Sequence, residues 1–314
     1  MKKFTLFAMM LLAACFVFAQ EDETSGSTLE QPVRRPVETP WEQVNTGDFT
    51  EPIAYAPVRQ ADVMYYWTVW RIIDLREKVN HPLYFPTEPR GTWKNLGQTI
   101  FDAIDFKNPE RSADALPVYS DEMCTMPMTQ EELVSNLSQS RIIEDLDDEG
   151  EVIGEKEQII EHEAKDIISY RLKEVWYFDK QYSTFKVRIL EITPVIEYER
   201  LSSSSSYDDE EKDAEDEEDV KTNKSTMRLG YIYYDELRPF IAKQEVFNMK
   251  NQAARLSFDD LITWKRDFSS LIYKESNVYD RDIEEYIANS RDQRIESERI
   301  TEKLRTFEHD LWEF

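Results

Sequence analysis

Three clusters in this 314-residue chain hold residue types that could do chemistry. Glu161-His162-Glu163 offers an imidazole between two carboxylates, a possible metal set, but three neighbours in a run point in different directions. The reading favoured there is a solvated polar strand edge. Asp145, Asp147, Glu149 and Gly150 fit the first half of a calcium loop, yet Lys156 stands where such a loop needs its bidentate Glu. A hairpin turning at Asp148-Glu149-Gly150 accounts for the same residues. Cys124 has no cysteine partner for a zinc motif, and no His-Glu-x-x-His or Gly-x-Ser-x-Gly occurs. Carboxylates are too abundant for any catalytic pair to stand out. The expectation is no catalytic, cofactor or metal residue.

Composition narrows the classes further. There are 38 Lys and Arg against 64 Asp and Glu, a formal net charge of −26. Such acidity opposes nucleic acid and anionic lipid, whose phosphates need clustered cations. Only 7 glycines are present, and neither Gly91 nor Gly97 is followed by the Lys-Ser/Thr of a phosphate loop. With 7 Trp, 16 Tyr and 16 Phe the chain has enough apolar mass for a substantial core.

The elements that would position these groups begin after a signal peptide and a leader. Lys2 and Lys3 precede an apolar run from Phe4 to Phe18, which reads as a secretory signal peptide over 1–19 with cleavage after Ala19. Leu12-Ala13-Ala14-Cys15 also has the pattern of a lipoprotein cleavage site, but Phe16-Val17-Phe18 continues the apolar run instead of turning polar. The run is short for a membrane span. Residues 20–52 are polar and proline-rich, a disordered leader.

From residue 53 the patterning predicts a single α+β region to 314, divisible into 53–140 and 141–314. Val63, Trp67, Trp70 and Ile73 recur at four, three and three, which predicts a helix over Val63–Val79 stopped by Asn80 and Pro82. A shorter helix is expected over Lys94–Phe106, and Thr129-Gln130-Glu131-Glu132 is a capping box opening a third. Ile168, Tyr170, Leu172, Trp176 and Phe178 alternate as a strand, with Glu174 as the exception. Phe185, Val187 and Ile189 supply its antiparallel partner, extending past Pro194, and Arg228–Tyr234 reads as a further strand.

Between these strands lie Ser202–Ser206 and then ten acids against Lys212 alone, a solvated loop over 202–225. Helices are expected over Glu236–Phe247, Asp259–Tyr273 and Arg281–Leu311. The order predicts an antiparallel sheet with helices at both ends of the ordered region and a long C-terminal helix. The last helix carries an apolar stripe at Ile300, Leu304, Phe307 and Leu311. Trp67, Trp70, Phe307, Leu311 and Trp312 are the candidate interaction residues, since clustered aromatics suit either a core or an interface anchor.

Two segments also carry a resemblance. Val69-Trp70-Arg71-Ile72-Ile73-Asp74-Leu75-Arg76-Glu77-Lys78 runs into Asn80-His81-Pro82-Leu83-Tyr84. Near the other end come Asn289-Ser290-Arg291-Asp292-Gln293, Glu296-Ser297-Glu298-Arg299-Ile300 and Phe307-Glu308-His309-Asp310-Leu311-Trp312-Glu313-Phe314. In these the chain resembles the GldN/PorN proteins of the Bacteroidetes, over about Tyr55 to Phe314. The resemblance implies a non-enzymatic periplasmic subunit of the type IX secretion system, required for secretion and often for gliding. It implies self-association in a ring at the inner face of the outer membrane with a lipoprotein, GldK or PorK. The ring would be engaged by the motor proteins GldL and GldM (PorL and PorM). No cofactor, nucleic acid or direct membrane span is expected. An extracytoplasmic binding module or carboxylate-dependent hydrolase is the rival, favoured by a deep pocket at His162 or the 145–155 acids.

Overall fold

The structure, a computed structural model, describes residues 51–91, 93–105, 115–146, 152–200, 223–251 and 255–310. The signal-peptide and leader readings up to residue 50, the core of the acidic loop, Asp147, Glu149, Gly150, Leu311 and Trp312 lie outside the described residues.

Chain order begins with β1 (Val63–Asp74), followed by α1 (His81–Tyr84), α2 (Leu96–Ile104) and α3 (Gln130–Leu137). Then come β2 (Ser138–Leu146), β3 (Val152–Glu161), β4 (Ile167–Asp179), β5 (Thr184–Arg200), β6 (Asn223–Arg228) and β7 (Ile232–Tyr233). α4 (Tyr234–Ile241), β8 (Leu271–Glu275), α5 (Ile283–Tyr286) and α6 (Ser290–Asp310) complete the set. The main sheet runs β6-β5-β4-β1-β8, with β7 also on β5, and every pairing in it is antiparallel. β2 and β3 form a separate hairpin. This is an α+β fold with an antiparallel sheet and a long C-terminal helix, as the order of elements predicts.

The first expected helix is a strand. Val63–Asp74 is dense in β-branched and aromatic residues, which lose χ1 freedom against the preceding helical turn but fit a pleated surface. Its burial alternates, with Val69, Arg71 and Ile73 inside. Trp67 and Trp70, three apart, therefore lie on opposite faces rather than on one stripe.

β4 and β5 form the expected hairpin, and β5 does continue through Pro194. Arg228–Tyr234 is divided into β6 and β7. Helix α4 is shorter than expected and contains Pro239. Asp259–Tyr273 is a single wide turn over Asp260–Lys265 that ends at Arg266 in the left-handed region (φ 50°), after which β8 begins. The C-terminal helix is also split: Ile287 is extended, and the Asn289 side chain accepts from the Arg291 N–H at 3.2 Å as α6 begins. Asn is a strong initiator of helices, and here it overrides the longer stripe.

Packing divides the inner face of the sheet into two cores. The larger joins Ile73, Tyr170, Leu172 and Ile192 to α2, α3 and α4 through Ile100, Leu133 and Leu237. Gly97 permits α2 to approach closely, since a Cβ there would stand 2.7 Å from Ile167 Cδ1. The smaller joins Val69 and Ile272 to α5 and α6 through Ile283, Ile300 and Leu304. Each such buried aliphatic side chain contributes about 1.5–3 kcal/mol. The stripe at Ile300 and Leu304 is thus intramolecular core.

Candidate functional site

Between the two cores sits a charged seam. Glu174, the exception in the strand alternation of β4, is fully buried where the register between β4 and β5 shifts. Arg266 Nη2 donates to both of its carboxylate oxygens, at 2.7 and 2.9 Å, and Arg71 Nε lies 3.1 Å from Oε2. Trp176 Nε1 donates to the same carboxylate at 3.0 Å, and both guanidinium groups lie against its ring. A carboxylate so deeply buried is tolerable only when surrounded by donors. The left-handed turn at Arg266 is what brings that side chain back onto the sheet.

The outer face carries a second network. Across the strands, Glu191, Lys173, Trp70 and Lys274 occupy one row of β5, β4, β1 and β8. Trp70 Nε1 donates to Glu122 at 2.7 Å, and Lys173 Nζ reaches the same oxygen at 2.9 Å. The ammonium groups of Lys173 and Lys274 stand 5.5 and 5.1 Å from the Trp70 ring centroid. Burial pushes Glu122 up, but Lys173 and Trp70 together hold it below the usual carboxylate range. Glu191 has less help: burial pushes it up to about 8 against the pull of Lys173, and its Oε2 has no partner. Burial also pushes the Cys124 thiol up to about 11, with Glu191 and Asp121 adding to the effect. A thiol held protonated is a poor nucleophile.

Of the residues singled out in the sequence, His162 is not a solvated edge. It is 6% exposed, its backbone N–H donates to Leu137 O at 2.8 Å, and its Nε2 is buried without a partner. It lines a cleft of about 480 Å³ between α2 and the start of β4, together with Asp102, Glu163, Lys94 and Lys165. Lys94 holds Asp102 at 2.6 Å and Lys165 holds Glu163 at 2.8 Å, so these charges answer one another. Asp145 pairs with Gly154 and Ile143 with Lys156 in the β2–β3 ladder, so strands and not helices flank the calcium-like stretch. Among the described residues, no three His, Cys, Asp or Glu side chains are placed to hold a metal ion.

The aromatic candidates are brought partly together. The Tyr65 ring on β1 lies 4.6 Å from Phe307 on α6 and 5.9 Å from Trp67, and Lys303 Nζ sits 4.1 Å over Trp67. The early and late segments of the chain thus meet at one end of the sheet, while Trp70 belongs to the opposite face. Glu122, Glu174, Glu191 and Arg266 escaped sequence reasoning. Only Glu174 left a signal, as the charged residue in an apolar alternation.

A family model described as gliding motility associated protein GldN matches residues 58–313. The chain belongs to the GldN family. The matched span takes in both cores, both charged networks and the meeting of β1 with α6, so the architecture described above is that of a GldN protein. Gliding motility is therefore the process to which this fold is tied. No curated protein matches the chain significantly. Among the described residues no helix is long and apolar enough to cross a membrane.

Proposed function

We propose that this GldN protein is a non-enzymatic periplasmic subunit of the type IX secretion system. It self-associates in a ring at the inner face of the outer membrane with a GldK/PorK-like lipoprotein. It is an adaptor, transmitting the action of the GldL/GldM-type motor (PorL/PorM) to secretion and gliding. The observation that supports this most is the family match across 58–313. The build of the inner seam agrees, because it holds Glu174 against Arg71 and Arg266 within the fold rather than in an open reaction centre.

Crosslinking in intact cells followed by purification tests it. The expected product is an assembly far heavier than 37 kDa that contains an outer-membrane lipoprotein and a periplasmic motor component. A monomer that crosslinks to neither would overturn the proposal.

The His162 cleft favours one second reading, a small-molecule binding module, because His162, whose buried Nε2 has no partner, is among the residues that line it. Replacing His162 by Ala while secretion and assembly persist unchanged would leave the cleft with no part in the adaptor role.

A further inference from the structure

We propose that the half of β1 with which β8 does not pair, Val63–Trp67, is a strand-addition site. It takes an extended segment of another protein that is apolar at alternate positions and places a Lys or Arg beside Glu275. This deepens the adaptor reading and rests on it for the existence of a partner.

β1 is paired with β4 along its length, but β8 covers only Val69–Ile72 on the other side. The last bond on that side runs from Ser276 N–H to Thr68 O at 2.9 Å. Backbone groups repeat every two residues in a strand, so the Tyr66 N–H and C=O face the same way as the Thr68 carbonyl. Among the described residues no strand meets them there. An open edge is a template for another chain, and proteins usually blunt it with lysine, proline or a covering element. This one instead presents Met64 and Tyr66, 67% and 69% exposed, and beyond β8 the turn offers Val278 and Tyr279, 98% and 73% exposed.

The chemistry of the occupant is set on the inner side. Glu275 is the last residue of β8 before the gap, opposite Val69. Its Oε2 is buried and has no partner, and the Trp67 Nε1 is likewise unpartnered. A strand continuing the line of β8 would bring a side chain past both. The stretch 274–285 holds Glu275, Asp280, Asp282, Glu284 and Glu285 against Lys274 and Arg281. That excess of acid, in a chain of net charge −26, opposes a second copy at this edge and favours a basic segment. Main-chain bonds would supply affinity and the alternate side chains specificity.

The test places the photocrosslinker p-benzoylphenylalanine at Tyr66 in the full chain in its own cells, with Ile295 on α6 as the comparison position. The expected result is a crosslink from Tyr66 to a partner peptide with about five residues of alternating apolar pattern and a Lys or Arg. In the isolated complex the Tyr66 amide should exchange at least tenfold more slowly than in the free protein. Glu275→Gln should weaken the complex several-fold at low salt and flatten its salt dependence, with the circular dichroism spectrum unchanged. A crosslink to a second copy, or to a segment lacking this pattern, overturns the proposal. So does a partner captured from Ile295 while Tyr66 stays silent, an outcome that leaves the adaptor reading standing. Silence at both positions, with no partner in the crosslinked cells, overturns both.

Discussion

Arg71 on β1 and Glu174 on β4 meet diagonally across adjacent strands, Nε to Oε2 at 3.1 Å, where the carboxylate has no access to solvent. Arg266 reaches the same carboxylate from beyond the wide turn, so one acid ties three elements together. The seam lies where the helices of the larger core give way to α6. Its cost in desolvation is high, and its value depends on completeness.

Removing the acid alone should therefore do more harm than the loss of its contacts with Arg71, Arg266 and Trp176 suggests. Glu174→Ala leaves Arg71 and Arg266 facing each other in a buried space, an uncompensated pair of like charges. We expect a loss of about 3–5 kcal/mol in urea-induced unfolding. Arg266→Lys should cost less, since one cation remains but not two oxygens reached by one planar group.

The Glu191 carboxyl gives the fold a pH dependence. Its folded-state value, about 8, lies above the ordinary glutamate range near 4.5, so the folded protein binds the proton more tightly than the unfolded chain. Stability contributed by this group is full below about pH 4.5 and falls as pH rises towards 8. Glu191→Gln should remove that decline and raise the melting temperature most at pH 8. Thermal scans of both proteins at pH 5, 7 and 8 measure it, and parallel curves would show that Glu191 is ionised in the fold.

Asn95 tests the positioning of α2. Its Oδ1 accepts from the Gln98 N–H at 2.7 Å, and its amide donates to the carbonyls of Pro86 and Tyr84 at 2.9 and 3.3 Å. A cap alone is worth about 1 kcal/mol. Asn95→Asp keeps the cap but loses both donations, leaving buried carbonyls unpaired, so it should still destabilise by about 1–3 kcal/mol. A neutral effect in chemical denaturation would mean that water replaces the amide.

These residues also show what a sequence can reveal. The capping box at Thr129, the β4–β5 hairpin and α2 were legible because each depends on neighbours within a few positions. β1 misled because its aromatics satisfy helical and strand spacing alike, and only pairing with β4, about a hundred residues away, decides between them. The seam was invisible for the same reason. Arg71, Glu174 and Arg266 are far apart in the chain, and nothing local marks an arginine as buried. His162 looked like an edge residue beside two acids, yet its neighbours Leu137 and Ala164 draw it inward.

Phe307 and Trp312, both aromatic candidates near the end of the chain, are expected to have different roles. Phe307 packs on Tyr65 and Phe185, at 4.6 and 5.8 Å between centroids, so it fastens the last turns of α6 to the sheet. Phe307 is half-buried, and Phe307→Ala should cost about 1–2 kcal/mol, below the range for a fully buried ring. Amide exchange should quicken over the end of α6, and assembly should weaken only as far as folding does. Trp312→Ala is expected to behave differently, with an unchanged melting temperature but loss of higher-order assembly and of secretion together. Measuring circular dichroism, protease resistance and assembly on both variants separates the roles. If Trp312→Ala lowers the melting temperature as Phe307→Ala does, both rings are core. If both variants assemble and secrete normally, the contact must be sought elsewhere, first at the open edge of β1.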